Sequence, residues 1–111
     1  MLIATWNVNS IRTRLSQIID WINQVNPDVL CLQETKVIDD NFPVESFEQL
    51  GYSLELYGQK SYNGVAIISK IKAENVKKGF CGFNNSNQNI EIFLDQKRLI
   101  SAVINGIKIL K

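Results

Sequence analysis

Apolar positions change period repeatedly along the chain, and each change marks an element. Leu2-Ile3-Ala4-Thr5-Trp6-Asn7-Val8 is mostly apolar with β-branched members and predicts a short buried strand. A helical period follows, with Ile11, Leu15, Ile18, Ile19, Ile22 and Val25 on one face. Ser10 stands where an N-cap hydroxyl can accept from an orphan backbone N–H. Asn26-Pro27 ends the helix, because the residue before proline is pushed out of the α region. Val29-Leu30-Cys31-Leu32 predicts a second buried strand, running out into Gln33-Glu34-Thr35-Lys36. Strand, helix, strand over so short a stretch is a βαβ unit with parallel strands and a right-handed crossover. Asn7 and Glu34 then share the rim at the strands' carboxyl ends, where open α/β sheets bind ligands.

Beyond this unit the pattern turns strand-rich. Asn41-Phe42-Pro43 opens a short helix with proline at an early position; Phe47 and Leu50 form its apolar side and Gly51 its expected C′ residue. From Tyr52 to Tyr57 the chain alternates, Leu54 and Leu56 on one face and Glu55 on the other. A polar loop from Gly58 to Asn63 leads into the apolar strand Gly64 to Ser69, and another strand is expected over Ala73 to Lys78. Asn84 to Asn89 reads as a turn or mobile loop and Ile90 to Leu94 as a strand. Leu99 to Ile104 and Ile107 to Leu110 flank Asn105-Gly106, a strong two-residue hairpin signal. The last strand runs into Lys111 with its apolar pattern still in progress, which leads us to expect the front part of something longer.

Composition narrows the class. With 111 residues, 45% hydrophobic and 21% charged, the chain has the profile of one small globular α/β domain. No apolar run approaches the ~20 residues of a membrane span, and the N-terminus does not read as a signal peptide. Cys31 and Cys81 are too few for a disulfide framework and too far apart for a CxxC site, so the expectation is a reduced cytoplasmic protein with inert thiols. A net charge of +1 gives no basic footprint in the total, so any nucleic-acid surface has to be local. The histidine count is zero, which excludes a Ser-His-Asp triad, a Cys-His pair and an HExxH zinc site within these residues.

The residues that could carry chemistry are few. Glu34 is either a hard-oxygen ligand for Mg²⁺ or Mn²⁺ or a solvated carboxylate at a strand end, and taken singly the second reading is the commoner. Asn7 and Asn9 could orient a carboxylate or a phosphate, or simply form an Asx turn into the helix.

Read together, three segments resemble the exonuclease III branch of the endonuclease/exonuclease/phosphatase family. They are Trp6-Asn7-Val8-Asn9-Ser10-Ile11-Arg12, Pro27-Asp28-Val29-Leu30-Cys31-Leu32-Gln33-Glu34-Thr35-Lys36, and Tyr57-Gly58-Gln59-Lys60-Ser61-Tyr62-Asn63-Gly64-Val65-Ala66-Ile67. Asp39 to Pro43 and Gln96 to Ser101 are similar to it as well. The resemblance implies the N-terminal half of a four-layer, DNase I-like α/β sandwich, residues 1–111 forming a partial domain. It implies a Mg²⁺- or Mn²⁺-dependent phosphodiesterase acting on double-stranded DNA at abasic sites and 3′ ends, monomeric at full length. By the same match Glu34 is the metal-binding carboxylate and Asn7 belongs to its cluster. Asn9, Arg12 and Lys36 face the DNA backbone; Gly58, Gln59, Lys60 and Tyr62 lie on a loop that contacts the duplex; Arg98 opens a strand next to the site. Lys70, Lys72, Lys77 and Lys78 keep the plain reading of solvated surface charges.

The family pattern also has parts with no counterpart here: a catalytic tyrosine, an Asp-x-Asn pair that activates and orients water, and a late Asp-His pair. The 111 residues are therefore expected to lack nuclease activity alone and to expose an apolar face. Two other readings stay open at this point. One is a same-fold phosphatase, sphingomyelinase or DNase I-like nuclease; the other is a non-catalytic remnant that binds DNA or protein.

Overall fold

The structure, a computed structural model, describes residues 1–79 and 98–111. The expected turn at Asn84 to Asn89, the strand at Ile90 to Leu94, the Gln96-Lys97 part of the resemblance, and Cys81 lie outside the described residues.

The βαβ unit forms as expected. Strand β1 (Ile3–Asn7), helix α1 (Ile11–Val25) and strand β2 (Val29–Gln33) follow one another, with β1 parallel to β2 in a register running from Ile3 opposite Val29 to Asn7 opposite Gln33. The Ser10 hydroxyl accepts from the Thr13 N–H at 3.3 Å, which caps α1. Asn26 ends the helix in the left-handed region (φ 55°, ψ 55°), and its N–H donates to the Ile22 carbonyl at 2.8 Å. Asparagine tolerates that conformation, and the following proline disfavours the right-handed alternative. Ile11, Ile18 and Ile22 are buried, whereas Val25, expected on the same face, is exposed in the last turn.

A single 3₁₀ turn (Asp39–Asn41) precedes the short helix α2 (Val44–Glu48), where Pro43 occupies the N-cap. Strands β3 (Ser53–Tyr57), β4 (Val65–Ser69), β5 (Glu74–Lys78), β6 (Ile100–Ile104) and β7 (Ile107–Leu110) complete the described elements. They form a four-stranded sheet of order β1-β2-β4-β3 and an antiparallel three-stranded sheet of order β5-β6-β7. Asn105 (φ 50°) and Gly106 (φ 77°) both take positive φ, as a type I′ hairpin turn requires.

The first sheet is covered on both faces over its two central strands. Leu30, Leu32, Ala66 and Ile68 pack with Ile18, Ile22 and Phe47 beneath the helices. Val29, Cys31, Val65 and Ile67 pack against Ile100, Ala102, Ile104 and Ile109 of the second sheet. The described residues thus build three layers, helices, sheet and sheet, of the four-layer sandwich. Full coverage of β2 and β4 explains their uninterrupted apolar runs. It also buries Cys31, and burial pushes its thiol up, against an opposing pull from Lys111, so the thiolate is disfavoured. No described helix is long and apolar enough to cross a membrane.

Strand β1 corrects one expectation. It alternates exposed and half-buried residues, and it lies at the edge of the sheet formed by the described residues. Ala4 and Trp6 pack toward the helices, where Trp6 meets Trp21 edge-on at 5.9 Å. On the opposite face Ile3 and Thr5 stay exposed. Leu2, Ile107 and Leu110 are exposed as well.

Tyr52 ties the start of β3 to the end of α1, its hydroxyl donating to the Pro27 carbonyl at 2.6 Å in a buried setting. Burial first, and the Asp28 carboxylate second, push its phenol above the ordinary value of about 10. The folded chain therefore holds this proton more tightly than the unfolded chain. The stability it contributes is whole below about pH 10 and declines as pH rises through and beyond that value. Tyr52→Phe is expected to cost about 1 kcal/mol at neutral pH and to flatten the alkaline decline in urea melts. A variant whose decline parallels that of the parent would refute this assignment.

Candidate functional site

The parallel pairing of β1 and β2 brings their carboxyl ends side by side. Asn7 closes β1 and Glu34 follows β2 directly, and the Asn7 Nδ2 donates to Glu34 Oε2. Asn7 Oδ1 in turn accepts from the Asn9 N–H at 3.2 Å, an Asx-type bond that shapes the entry to α1. Lys36 Nζ reaches back to donate to Asn9 Oδ1 at 2.5 Å and stands 3.8 Å from Glu34 Oε1. The Glu34 side chain remains 42% exposed. The lysine thus stands beside a carboxylate that stays open to solvent instead of drawing it into the interior.

The backbone here is unusual. Asn9 (φ 45°), Ser10 (φ 89°), Glu34 (φ 55°), Lys36 (φ 61°), Ser61 (φ 67°) and Asn63 (φ 50°) all lie in the left-handed half of the map. Only a few per cent of non-glycine residues do so, and each costs of order 1–3 kcal/mol unless its surroundings over-determine it. A net of backbone bonds supplies that support. Ser10 N–H donates to the Glu34 carbonyl (2.8 Å), Ile11 to Thr35 (3.1 Å), Thr35 to Gly64 (3.2 Å), Lys36 to Asn63 (2.9 Å) and Ser61 to Lys36 (3.1 Å). The Glu34 turn is therefore pinned on one side by the start of α1 and on the other by the start of β4.

Gly64 makes the second side possible. Its φ is 89°, and a Cβ there would stand 2.2 Å from Thr35 Oγ1. The Thr35 hydroxyl is buried and has no hydrogen-bond partner among the described residues. Gly58 is pinned similarly: its N–H donates to Asp39 Oδ1 at 2.6 Å, and a Cβ would meet the Val37 carbonyl oxygen at 2.2 Å.

An open cleft of ≈ 410 Å³ lies along this rim, lined by Asn7, Gln33, Glu34, Asn63, Gly64, Val65 and Arg98. Arg98 Nε donates to Asn63 Oδ1 at 3.0 Å, and Asn63 Nδ2 donates to Gln59 Oε1 at 3.3 Å. Of the residues singled out in the sequence, Asn7, Asn9, Glu34 and Lys36 form one connected group, and Arg98 lines the same cleft. Gln59 joins through Asn63. Arg12, exposed on the first turn of α1, and Lys60 and Tyr62, exposed on their loop, do not line the cleft. Gly58 meets backbone and Asp39, so its contacts are those of close packing. Sequence reasoning did not single out Asn63 or Gly64, although Asn-Gly before an apolar strand is itself a turn signal.

The donor set is a carboxylate and an amide beside two cations. Among the described residues there is no group of three or more His, Cys, Asp or Glu side chains placed to hold a metal ion. What the rim can offer a divalent cation is the Glu34 carboxylate with the Asn7 amide against it.

Comparison with known proteins bears on the same segments. Residues 4–102 match the Endonuclease/Exonuclease/phosphatase family. Exodeoxyribonuclease III of Haemophilus influenzae is 37% identical over 108 residues, which cover 96% of this chain and 40% of that protein. An AP endonuclease from Archaeoglobus fulgidus superposes with a TM-score of 0.82 at 43% identity, over 99% of this chain and 40% of its own. The 3′ phosphatase NExo from Neisseria, solved with a product DNA hairpin, superposes with a TM-score of 0.85 at 35% identity over the same shares. The chain spans about 40% of the length of these relatives. By its matched residues and its fold, the chain belongs to the endonuclease/exonuclease/phosphatase family.

Proposed function

We propose that these residues form the first part of the active site of a metal-dependent DNA phosphodiesterase working at abasic sites and 3′ ends. The observation that carries the reading is the contact of the Asn7 amide with the Glu34 carboxylate on the shared rim, beside a cleft that Arg98 also lines. The similarity to an exodeoxyribonuclease and to an AP endonuclease gives the substrate class its support.

The donor chemistry fits a small hard cation. Mg²⁺ is commonly held by one or two carboxylates, with water and substrate phosphate oxygens completing its shell, and Glu34 is a half-exposed carboxylate at a polar cleft. When bound, Mg²⁺ or Mn²⁺ would supply charge neutralisation at the phosphate oxygens. Glu34 is the residue that would hold it, and the Asn7 Nδ2–H fixes the carboxylate by engaging Oε2. Lys36 limits the motion of that carboxylate through its ion pair and spends one N–H on Asn9. Arg98 offers guanidinium N–H groups suited to a phosphate. Lys60 and the exposed Tyr62 pair a charge with an aromatic surface, an arrangement that suits nucleic acid, from outside the cleft. The chain has no histidine, so the Asp-His pair that the resemblance implies has no counterpart in these residues.

Purified 1–111 is therefore expected to bind an abasic-site duplex, more weakly as salt rises, and to make no nick in it. Fluorescence anisotropy across a salt series, with gel analysis of the same duplex in Mg²⁺, checks both. Absence of binding refutes the DNA reading. A Mg²⁺-dependent nick, with contaminating nuclease excluded, refutes the reading of an incomplete site.

A further inference from the structure

Asn63 is not among the residues expected to perform the chemistry, yet it holds three neighbours around the cleft. Its carbonyl accepts from the Lys36 N–H, its Oδ1 from Arg98 Nε at 3.0 Å, and its Nδ2 donates to Gln59 Oε1 at 3.3 Å. It does this from a left-handed backbone, φ 50°, which aims the amide differently from an extended residue at that position.

The consequence falls on Arg98. A guanidinium carries five N–H donors in a planar fork, one on Nε and four on the terminal nitrogens. Engaging Nε fixes the plane of the fork about its long stem. It leaves the terminal edge, which among the described residues has no protein partner, for an anion. Arg98 lines the cleft with Glu34, so an anion there would lie within the compartment that Glu34 faces. Arginine has many rotamers, and an exposed one gives up that freedom when it binds; a tethered one has surrendered part of it beforehand.

We propose that Asn63 is a positioning residue that pre-orients the Arg98 fork for a phosphate of the nucleic-acid backbone. This rests on the phosphodiester reading above and adds to it the device that aims the phosphate-binding arginine. Asn63 itself touches no reacting atom. Its effect is on backbone affinity and on the state of the Arg98 side chain, with the Asn7–Glu34 pair untouched.

The test uses chain 1–111, a duplex with a 3′-recessed end, and the variants Asn63→Gly, Arg98→Ala and their combination. Glycine is chosen because it accepts φ 50° without strain and keeps the backbone carbonyl that serves Lys36. Arg98→Ala is expected to weaken duplex binding about tenfold and Asn63→Gly about fivefold, with the double variant no weaker than Arg98→Ala alone. In ¹⁵N-resolved NMR the Arg98 Nε–H signal should exchange slowly in the parent, be lost in Asn63→Gly, and return in Asn63→Asp, which restores an acceptor oxygen. Losses that add, or Asn63→Gly binding as tightly as the parent, overturn the proposal while leaving the phosphodiester reading intact. An Nε–H signal that persists in Asn63→Gly overturns it without reference to DNA. A parent chain that binds no duplex, with Arg98→Ala equally inert, overturns the phosphodiester reading and the phosphate role together.

Discussion

Gly64→Ala should destabilise the chain by about 2–5 kcal/mol and disorder the turn that carries Glu34. Two independent effects combine. An L-residue at φ 89° costs of order 1–2 kcal/mol. The new methyl would also stand 2.2 Å from Thr35 Oγ1, in a buried position between β2 and β4 where neither neighbour can retreat cheaply. Overpacking of this kind typically costs another ~1–3 kcal/mol. The two contributions can be separated. Thr35→Ala removes the hydroxyl and leaves Thr35 Cβ at an ordinary 3.4 Å from the added methyl. The double variant should therefore recover most of the steric part, leaving the 3.2 Å approach to the Lys36 backbone nitrogen, and keep the backbone part. Urea denaturation of the four proteins of this cycle measures the coupling, and additive losses would show that the Thr35–Gly64 contact is not the cause. Thr35→Ala by itself should cost about 1 kcal/mol, from the buried γ-methyl it also removes, because the hydroxyl it deletes has no partner among the described residues.

The second large effect is on metal affinity. Glu34→Gln keeps the shape of the side chain and removes its charge, so the affinity of 1–111 for Mn²⁺ should fall at least about tenfold. Paramagnetic broadening of backbone amides provides the readout. In the parent, Mn²⁺ should selectively broaden Asn7, Glu34 and Thr35; in Glu34→Gln that broadening should disappear while the spectrum stays folded. Asn7→Ala should weaken the same response by a smaller factor, since it removes the donor that fixes the carboxylate. Uniform broadening in both proteins, or broadening centred on Asp39 and Asp40, would relocate the cation away from Glu34. Residual affinity in Glu34→Gln should also resist rescue by higher pH, because the glutamine amide does not ionise.

Much of this site follows from short-range pattern. Helix α1 with its Ser10 cap, the buried run of β2 and the Asn105-Gly106 hairpin are local features, each decided within a few residues of chain. The crossover rule then orients β1 and β2 in parallel, which alone is enough to bring Asn7 and Glu34 to one rim. Strand β1 differs from the buried strand its pattern predicts, for an equally physical reason. Its apolar composition matches that of a central strand, but among the described residues it stands at the sheet edge with Ile3 and Thr5 uncovered, and no local signal distinguishes the two cases.

Other features required the folded chain. The hold of Lys36 on Asn9 spans 27 residues and that of Arg98 on Asn63 spans 35. Both depend on left-handed backbone at Glu34, Lys36 and Asn63; asparagine tolerates it, but glutamate and lysine rarely take it and give no warning in a linear reading. That Gly64 must be glycine is likewise visible only once β4 is laid against the Thr35 hydroxyl. Residue order alone was enough to establish that β1 and β2 run parallel and which carboxylate stands at their end. Which cations surround that carboxylate, and what aims them, was decided by packing, because strained turns persist only where distant segments hold them in place.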